Sequence, residues 1–201
     1  MSGVALIDYG AGNLQSVLNA LKAAGASDIA VTADPAEVAL AKRIVLPGVG
    51  AFAHCMGALS AIPGMIDALA ESVIERGRPF LGICVGMQLM ADAGHEHGVT
   101  RGLGWIGGHV APLPTAPGLK IPHMGWNDVV PMRAHPLIEA GEAYFLHSYA
   151  FSGSDVLATT DHGGTVVAAI GRDNMAGVQF HPEKSQAYGV AMLQRFLKWR
   201  P

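Results

Sequence analysis

The stretch FLGICVGMQ, Phe80–Gln88, ends an apolar run on a cysteine between two glycines. Gly82-Ile83-Cys84-Val85-Gly86 has the spacing of a G-x-S-x-G nucleophile elbow with sulfur in place of oxygen. A strand-like run precedes it and a helical pattern, VGMQLMADAG, follows. A sharp strand-to-helix turn needs glycines at the flanking positions, because β-carbons there would strike the neighbouring strand and helix. Such a turn lifts Cys84 above the sheet edge. It also sets the thiol at a helix N-terminus, whose partial positive charge favours a thiolate. The same residues fit a buried structural cysteine equally well, so the rest of the chain must decide.

Upstream, short apolar strands alternate with amphipathic segments. GVALID (Gly3–Asp8) reads as a strand. NLQSVLNALKAAG then sets Leu14, Val17, Leu18 and Leu21 on one helical face, with Gly25 as a stop. DIAVT, a short helix opening at Pro35, the strand RIVLP and the helix MIDALAESVIERG continue the pattern. This βαβα rhythm predicts an open, mostly parallel sheet with helices on both faces and ligands at the strands' carboxyl ends. After Gly94, strand-like runs dominate, among them WNDVVPM, AYFLHSYAF and TVVAAIGR, before a closing helix AYGVAMLQRFLKW. They read as additional, partly antiparallel strands on the same sheet. No linker or repeat interrupts the 201 residues, so a single domain over 1–201 is expected.

Only 14% of residues are charged against 50% hydrophobic, and the mean hydropathy is +0.31, a bias that fits either a surface covered by a partner or a well-packed α/β core. The net charge of −3 gives no electrostatic case for nucleic acid or an anionic membrane as partner. No run approaches the ~20 apolar residues that span a bilayer. The opening MSG lacks the basic region of a secretory leader. With Cys55 and Cys84 the only cysteines, a cytoplasmic location is expected.

A thiol nucleophile needs a base, and the base an orienting group. QFHPE supplies both: a strand ending at His181, then Pro182, whose fixed backbone lets Glu183 reach back to the imidazole. His95 and His97 flank Glu96 in a polar segment, but no third ligand accompanies them, so no metal site is assigned. LPGVG, Leu46–Gly50, follows a strand and can aim a backbone N–H at Val49 into the site. Val85 N–H, just after the nucleophile, would be the second oxyanion donor.

Together GICVGMQ, QFHPEKS and LPGVGAF resemble the class I (triad) glutamine amidotransferases. IDYGAGNL (Ile7–Leu14) and PHMGWN (Pro122–Asn127) resemble, within that family, the glutaminase subunits of imidazole glycerol phosphate synthase. The resemblance implies a flavodoxin-like open sheet and a catalytic triad of Cys84, His181 and Glu183. It further implies glutamine contacts at Gly50, Gln88, Glu96 and Ser148, and no cofactor. Its implied partner is a (βα)8-barrel cyclase subunit, met through Asn13, Met124, Trp126 and Lys184 in a heterodimer that channels ammonia into histidine biosynthesis. Met124 and Trp126 also suit a water-excluding interface by their chemistry. Three alternatives remain at this stage: the glutaminase of an anthranilate or aminodeoxychorismate synthase, a partner-free γ-glutamyl cysteine hydrolase, and a non-catalytic relic of the fold.

Overall fold

The computed structural model describes residues 3–201. Met1 and Ser2, which belong to the opening MSG, lie outside the described residues. Five strands form the parallel half of a nine-stranded sheet: β1 (Val4–Ile7), β2 (Ile29–Thr32), β3 (Ile44–Gly48), β4 (Phe80–Cys84) and β13 (Met175–Val178), in the order β2-β1-β3-β4-β13. Every residue of β1, β3, β4 and β13 is buried. Strands covered on both faces lose the in–out alternation of half-exposed strands, which is why these read as continuous apolar runs.

Helices α1 (Leu14–Ala23) and α2 (Pro35–Leu40) carry local start signals. Asn13 accepts from Ser16 N–H at the first, and Asp34 accepts from Ala36 N–H at the second, where Pro35 occupies the first turn. The chain crosses from β1 to β2 in one direction and from β2 back to β3 in the other. Right-handed crossovers therefore put α1 and α2 on opposite faces. α6 (Gln186–Lys198) packs with α1, while α3 (Phe52–Ala61) and α4 (Met65–Ala70, continued by a π turn to Glu75) pack with α2's side. Buried Arg43, just before β3, donates to the carbonyls of Phe196 and Trp199 and so joins the sheet to the end of α6.

Beyond β13 the large sheet continues antiparallel through β12 (Thr165–Arg172), β11 (Val156–Asp161), β8 (His123–Pro131) and β9 (Gly141–His147). A separate four-stranded sheet holds β10 (Tyr149–Gly153), β7 (Gly108–Pro112), β5 (Ala93–Gly94) and β6 (Thr100–Arg101). The expectation that all later strands join one sheet is corrected here. AYFLHSYAF breaks at Ser148, and its two halves enter different sheets.

Two local expectations also change. The helix after the elbow, α5, stops at Gln88 instead of running on to Gly94. The carbonyls of Leu89, Met90 and Ala91 accept from Leu103, Trp105, Ile106 and Gly104, so they are occupied by a distant segment. Helix α3 went unread because its start lacks a local cap. Glu96, 44 residues away, accepts from Phe52 N–H at 2.7 Å.

The elbow glycines have the role the spacing implied. A β-carbon on Gly86 would sit 1.9 Å from the Leu46 carbonyl oxygen of β3, and one on Gly82 would sit 2.6 Å from the Gly86 oxygen. All of these obstacles are backbone, which cannot step aside cheaply. Gly86→Ala is expected to cost more than about 3 kcal/mol in urea unfolding or to prevent folding. A variant within 1 kcal/mol or so of the parent would contradict this close approach.

Candidate active site

The site lies at the carboxyl ends of β3, β4 and β13, beside the point where the strand order reverses. Cys84 ends β4 with φ 55°, a left-handed conformation in which an L-residue is strained by about 1–3 kcal/mol. The turn delivers its sulfur into a cavity of about 140 Å³ lined by Val49, Gly50, Val85, Gln88, Glu96 and Ser148, with Leu146, His147, Tyr149, His181 and Lys184 completing the wall. Seven of the site residues read from the sequence thus meet Cys84 around one space, and Lys184 joins them although it was assigned to the partner face.

His181 follows β13 and is held by its backbone: its N–H donates to Tyr144 O at 2.8 Å, and its carbonyl accepts from Ser185 Oγ at 2.7 Å. Pro182 starts a single 3-10 turn through Lys184, which folds Glu183 back under the ring. His181 Nδ1 donates to Glu183 Oε1 at 2.8 Å, and both side chains are almost fully buried. That bond leaves Nε2 for Cys84. Glu183 Oε2 is buried with no hydrogen-bond partner among the described residues, so the carboxylate's charge is answered chiefly by the ring. Burial alone would lower the His181 pKa. The hydrogen bonds to Cys84 and Glu183 and their negative charges outweigh it, and the imidazole is pushed up to about 9. The imidazole is thereby held protonated at neutral pH. α5 is a single turn, so its dipole is weaker than that of the longer helix expected from sequence.

Gln179 was not read from the sequence. It is fully buried, and its Nε2 approaches Cys84 Sγ at 3.7 Å while its Oε1 accepts from Gln88 Nε2 at 2.9 Å. It stands two residues before His181, in the bend that follows β13, and its place in QFHPE beside the catalytic histidine is the available signal. Gln88 Nε2 also donates to Tyr149 O at 3.1 Å, which leaves its carbonyl oxygen as the group able to accept from a ligand. Glu96 spends one oxygen on Phe52 N–H and lines the cavity.

In the LPGVG turn, Gly48 is boxed in: a β-carbon there would lie 2.7 Å from Gly86 N and 2.8 Å from the Tyr9 hydroxyl. Gly50, at φ 94°, has open space around it. Freedom in the turn therefore lies on the Gly50 side, not equally at both glycines. Tyr9 donates to Pro47 O at 2.7 Å and Cys55 Sγ donates to Val49 O at 3.3 Å, fixing a carbonyl on each side of Gly48. Val49 itself is 39% exposed.

Of the residues assigned to a partner face, Met124 and Trp126 are 65% and 47% exposed on β8. Trp126 meets the Tyr144 ring edge-on, and Lys184 Nζ lies 5.7 Å over that ring, so this row runs from the exposed strand to the cavity. Asn13 is exposed and spends its side-chain oxygen on capping α1. Among the described residues no cluster of three potential metal ligands occurs, and no single helix is long and apolar enough to cross a membrane.

The family whose model matches this chain is glutamine amidotransferase class-I, over residues 5–199. The chain belongs to that family. Among class-I amidotransferases, the imidazole glycerol phosphate synthase subunit HisH of Zymomonas mobilis is 64% identical, over 100% of this chain and 97% of that protein. The HisH subunit of Brucella suis is 53% identical over 98% and 99%. A crystal structure of a glutamine amidotransferase matches with a TM-score of 0.75 at 18% identity, covering 98% of both chains. The glutaminase domain of Trypanosoma brucei CTPS with bound acivicin matches with a TM-score of 0.66 at 16% identity, covering 98% and 92%. The likeness to these two structures is one of fold.

The histidines of this site make a two-sided prediction for stability. Burial pushes His147, and likewise His123 behind it, down to about 4, so folding keeps off protons that the unfolded chain binds below 6.5. Stability should fall as pH drops from 6.5 towards 4. His181, raised to about 9, binds a proton in the folded state that the unfolded chain releases above 6.5. Its contribution should be lost as pH rises from 6.5 through 9. Urea midpoints across pH 4–9 should therefore peak near 6.5, and His181→Asn should flatten the alkaline limb alone. An unchanged alkaline limb in that variant would contradict the raised imidazole.

Proposed function

We propose that the chain is the glutaminase subunit of an imidazole glycerol phosphate synthase, working as a single domain in the cytoplasm. The observation that carries the chemistry is His181, bonded to Glu183 at 2.8 Å and facing a cysteine on a strained elbow, and the imidazole's raised pKa agrees with it. The relatives' name supplies the assembly. Cys84 sulfur attacks the side-chain amide carbon of glutamine. The oxygen of the tetrahedral adduct takes up negative charge and accepts from the backbone N–H groups of Val49 and Val85, donors each typically worth about 10²–10³ in rate. His181 then gives its proton to the amide nitrogen as the C–N bond breaks, releasing ammonia and leaving a γ-glutamyl thioester on Cys84. Neutral His181 next takes a proton from water, which attacks the thioester. Breaking the C–S bond frees glutamate and restores the thiolate–imidazolium pair. Glu183 holds the ring in the tautomer both steps need.

Gln88, Glu96, Gly50 and Ser148 are the proposed glutamine contacts, with Glu96 suited to the α-amino group by its charge. No step calls for a cofactor. The exposed Met124 and Trp126, with Asn13 and Lys184, form the proposed docking face for a (βα)8-barrel cyclase, into which the ammonia would pass. The cyclase uses it on a phosphoribulosyl-formimino carboxamide nucleotide, giving imidazole glycerol phosphate and an aminoimidazole carboxamide ribonucleotide.

Two measurements test this. In the complex with the cyclase, Cys84→Ala should abolish glutamate release, and Glu183→Gln should lower kcat by about 10²–10⁴. Parent-like turnover in Cys84→Ala would remove the nucleophile from the scheme. The half-exposed Val49 and the open Gly50 also leave the oxyanion turn to be completed by a neighbour. The isolated chain should therefore hydrolyse glutamine at least about 10²-fold slower than the nucleotide-loaded complex. Equal rates would favour a partner-free γ-glutamyl hydrolase.

A further inference from the structure

Behind the active-site wall lies a buried polar chain that the reaction does not use. His123 on β8 and His147 at the end of β9 are register partners, 3% and 6% exposed. Three contacts link them to their surroundings. His147 Nδ1 is 2.9 Å from Tyr149 O, His123 Nδ1 is 3.0 Å from His147 Nε2, and Asn127 Nδ2 is 3.0 Å from His123 Nε2.

Only one assignment of protons satisfies all three. A carbonyl can only accept, so His147 carries its proton on Nδ1 and presents a bare Nε2. His123 must then donate from Nδ1, which leaves its own Nε2 to accept from the Asn127 amide. A second proton on either ring would set two donors against each other. The rest of the packing holds the same geometry. The His123 ring lies stacked between Phe145 at 4.7 Å and His162 at 4.2 Å, and His162 Nε2 donates to Lys120 O at 2.8 Å. Asn127 gives its other amide proton to Asp161 O at 2.7 Å and accepts from Asp128 N–H at 2.9 Å.

The two ends of this chain lie in different places. Asn127 follows Trp126 in β8, its side chain on the His123 face and that of Trp126 on the exposed one, so the two are joined through the backbone of the strand. Tyr149 O, at the other end, also accepts from Gln88, which is bonded to the Gln179 that touches Cys84. Between His147 and Tyr149 stands Ser148, where the chain leaves one sheet for the other. The Ser148 carbonyl accepts from Leu113 N–H at 2.9 Å, which holds its far side to β7, so the peptide that joins His147 to Ser148 is left to follow what His147 is tied to.

We propose that His123 and His147 form a fixed-tautomer relay that positions the Ser148 edge of the glutamine site and couples it to the β8 docking face. His123 touches no substrate and is a positioning residue, acting through His147. The inference rests on the glutaminase reading above. Displacing β8 at Trp126 moves Asn127 and His123, and the shift reaches Ser148 because a buried, fully satisfied chain has no alternative partners to relax onto. Glutamine binding, more than the chemical step, should depend on it.

The test uses the full chain in complex with the nucleotide-loaded cyclase. His123→Leu keeps the apolar packing and removes the relay. His123→Asn sets an amide N–H where Nδ1–H stood. The leucine variant should raise KM for glutamine about tenfold with kcat within about threefold, and the asparagine variant should return KM to within about threefold of the parent. An unchanged KM in the leucine variant, or an asparagine variant no better than leucine, would overturn the proposal. Iodoacetamide labelling of Cys84 checks that the nucleophile is intact in each variant. Should neither variant fold, nitrogen-15 spectra of the parent's histidines decide. Both rings are expected as Nδ1–H tautomers with bare Nε2 at pH 7, and any other state overturns the relay. Hydrolysis that persists in Cys84→Ala would sink the glutaminase reading while leaving the tautomer result to stand by itself.

Discussion

Cys84 is held at φ 55°, and the carboxyl edge of the sheet is arranged so that it cannot relax. β4 is paired in register with β3 on one side and β13 on the other, which fixes the chain entering the turn. The chain leaving it is pinned because Gly86 lies against Leu46 O with no room for a β-carbon. Strain at one residue persists only when its neighbours over-determine it, and here they do so through backbone packing. The same close approach sets Gly48 beside Gly86 and Tyr9, so the proposed oxyanion turn and the nucleophile turn are positioned by one contact. Moving either would move both.

Around that fixed point, two sets of histidines are kept in opposite charge states within one site. His181 gains more from Cys84 and Glu183 than burial takes away, so it holds its proton. His147, a neighbouring wall residue, meets burial without a carboxylate, and the charge on His181 pushes it further from protonation. The difference comes from partners, because both rings are buried. One imidazole is thereby reserved for proton transfer and the other for fixed hydrogen bonding. Confusing the roles would be costly: a charged His147 would oppose both His181 and its own partner His123.

How far the sequence reveals this depends on the distance over which each feature is encoded. The elbow and His-Pro-Glu are local, since glycine spacing, a proline and a carboxylate two residues on determine the turn by themselves. The central strands are legible because burial on both faces removes polar residues from them. Helix α3 is not, because its N-terminal donor is satisfied by Glu96 across 44 residues. The early end of α5 is hidden for the same reason, its following carbonyls being taken by residues 103–106. The break at Ser148 leaves no mark in AYFLHSYAF, since both halves are apolar and only their partner strands differ. Gln179 follows directly on β13 within a run that reads as core, and its role appears only when Gln88 and Cys84 arrive from elsewhere.

The apolar composition acquires a location as well. Met124, Trp126, Leu146 and Val49 are among the large apolar side chains left exposed, and Val49 and Leu146 also line the cavity that holds Cys84. A hydrolase releasing product into water gains nothing from an apolar mouth. An enzyme that hands a small neutral molecule to a neighbour does, because ammonia that meets water is protonated and lost to the next reaction. Covering this rim would exclude water from the exit and, through the half-exposed Val49, bring the partner against the turn that carries the proposed oxyanion donor. Sealing the route and completing the site would then be one event, which ties hydrolysis to the presence of an acceptor for its ammonia.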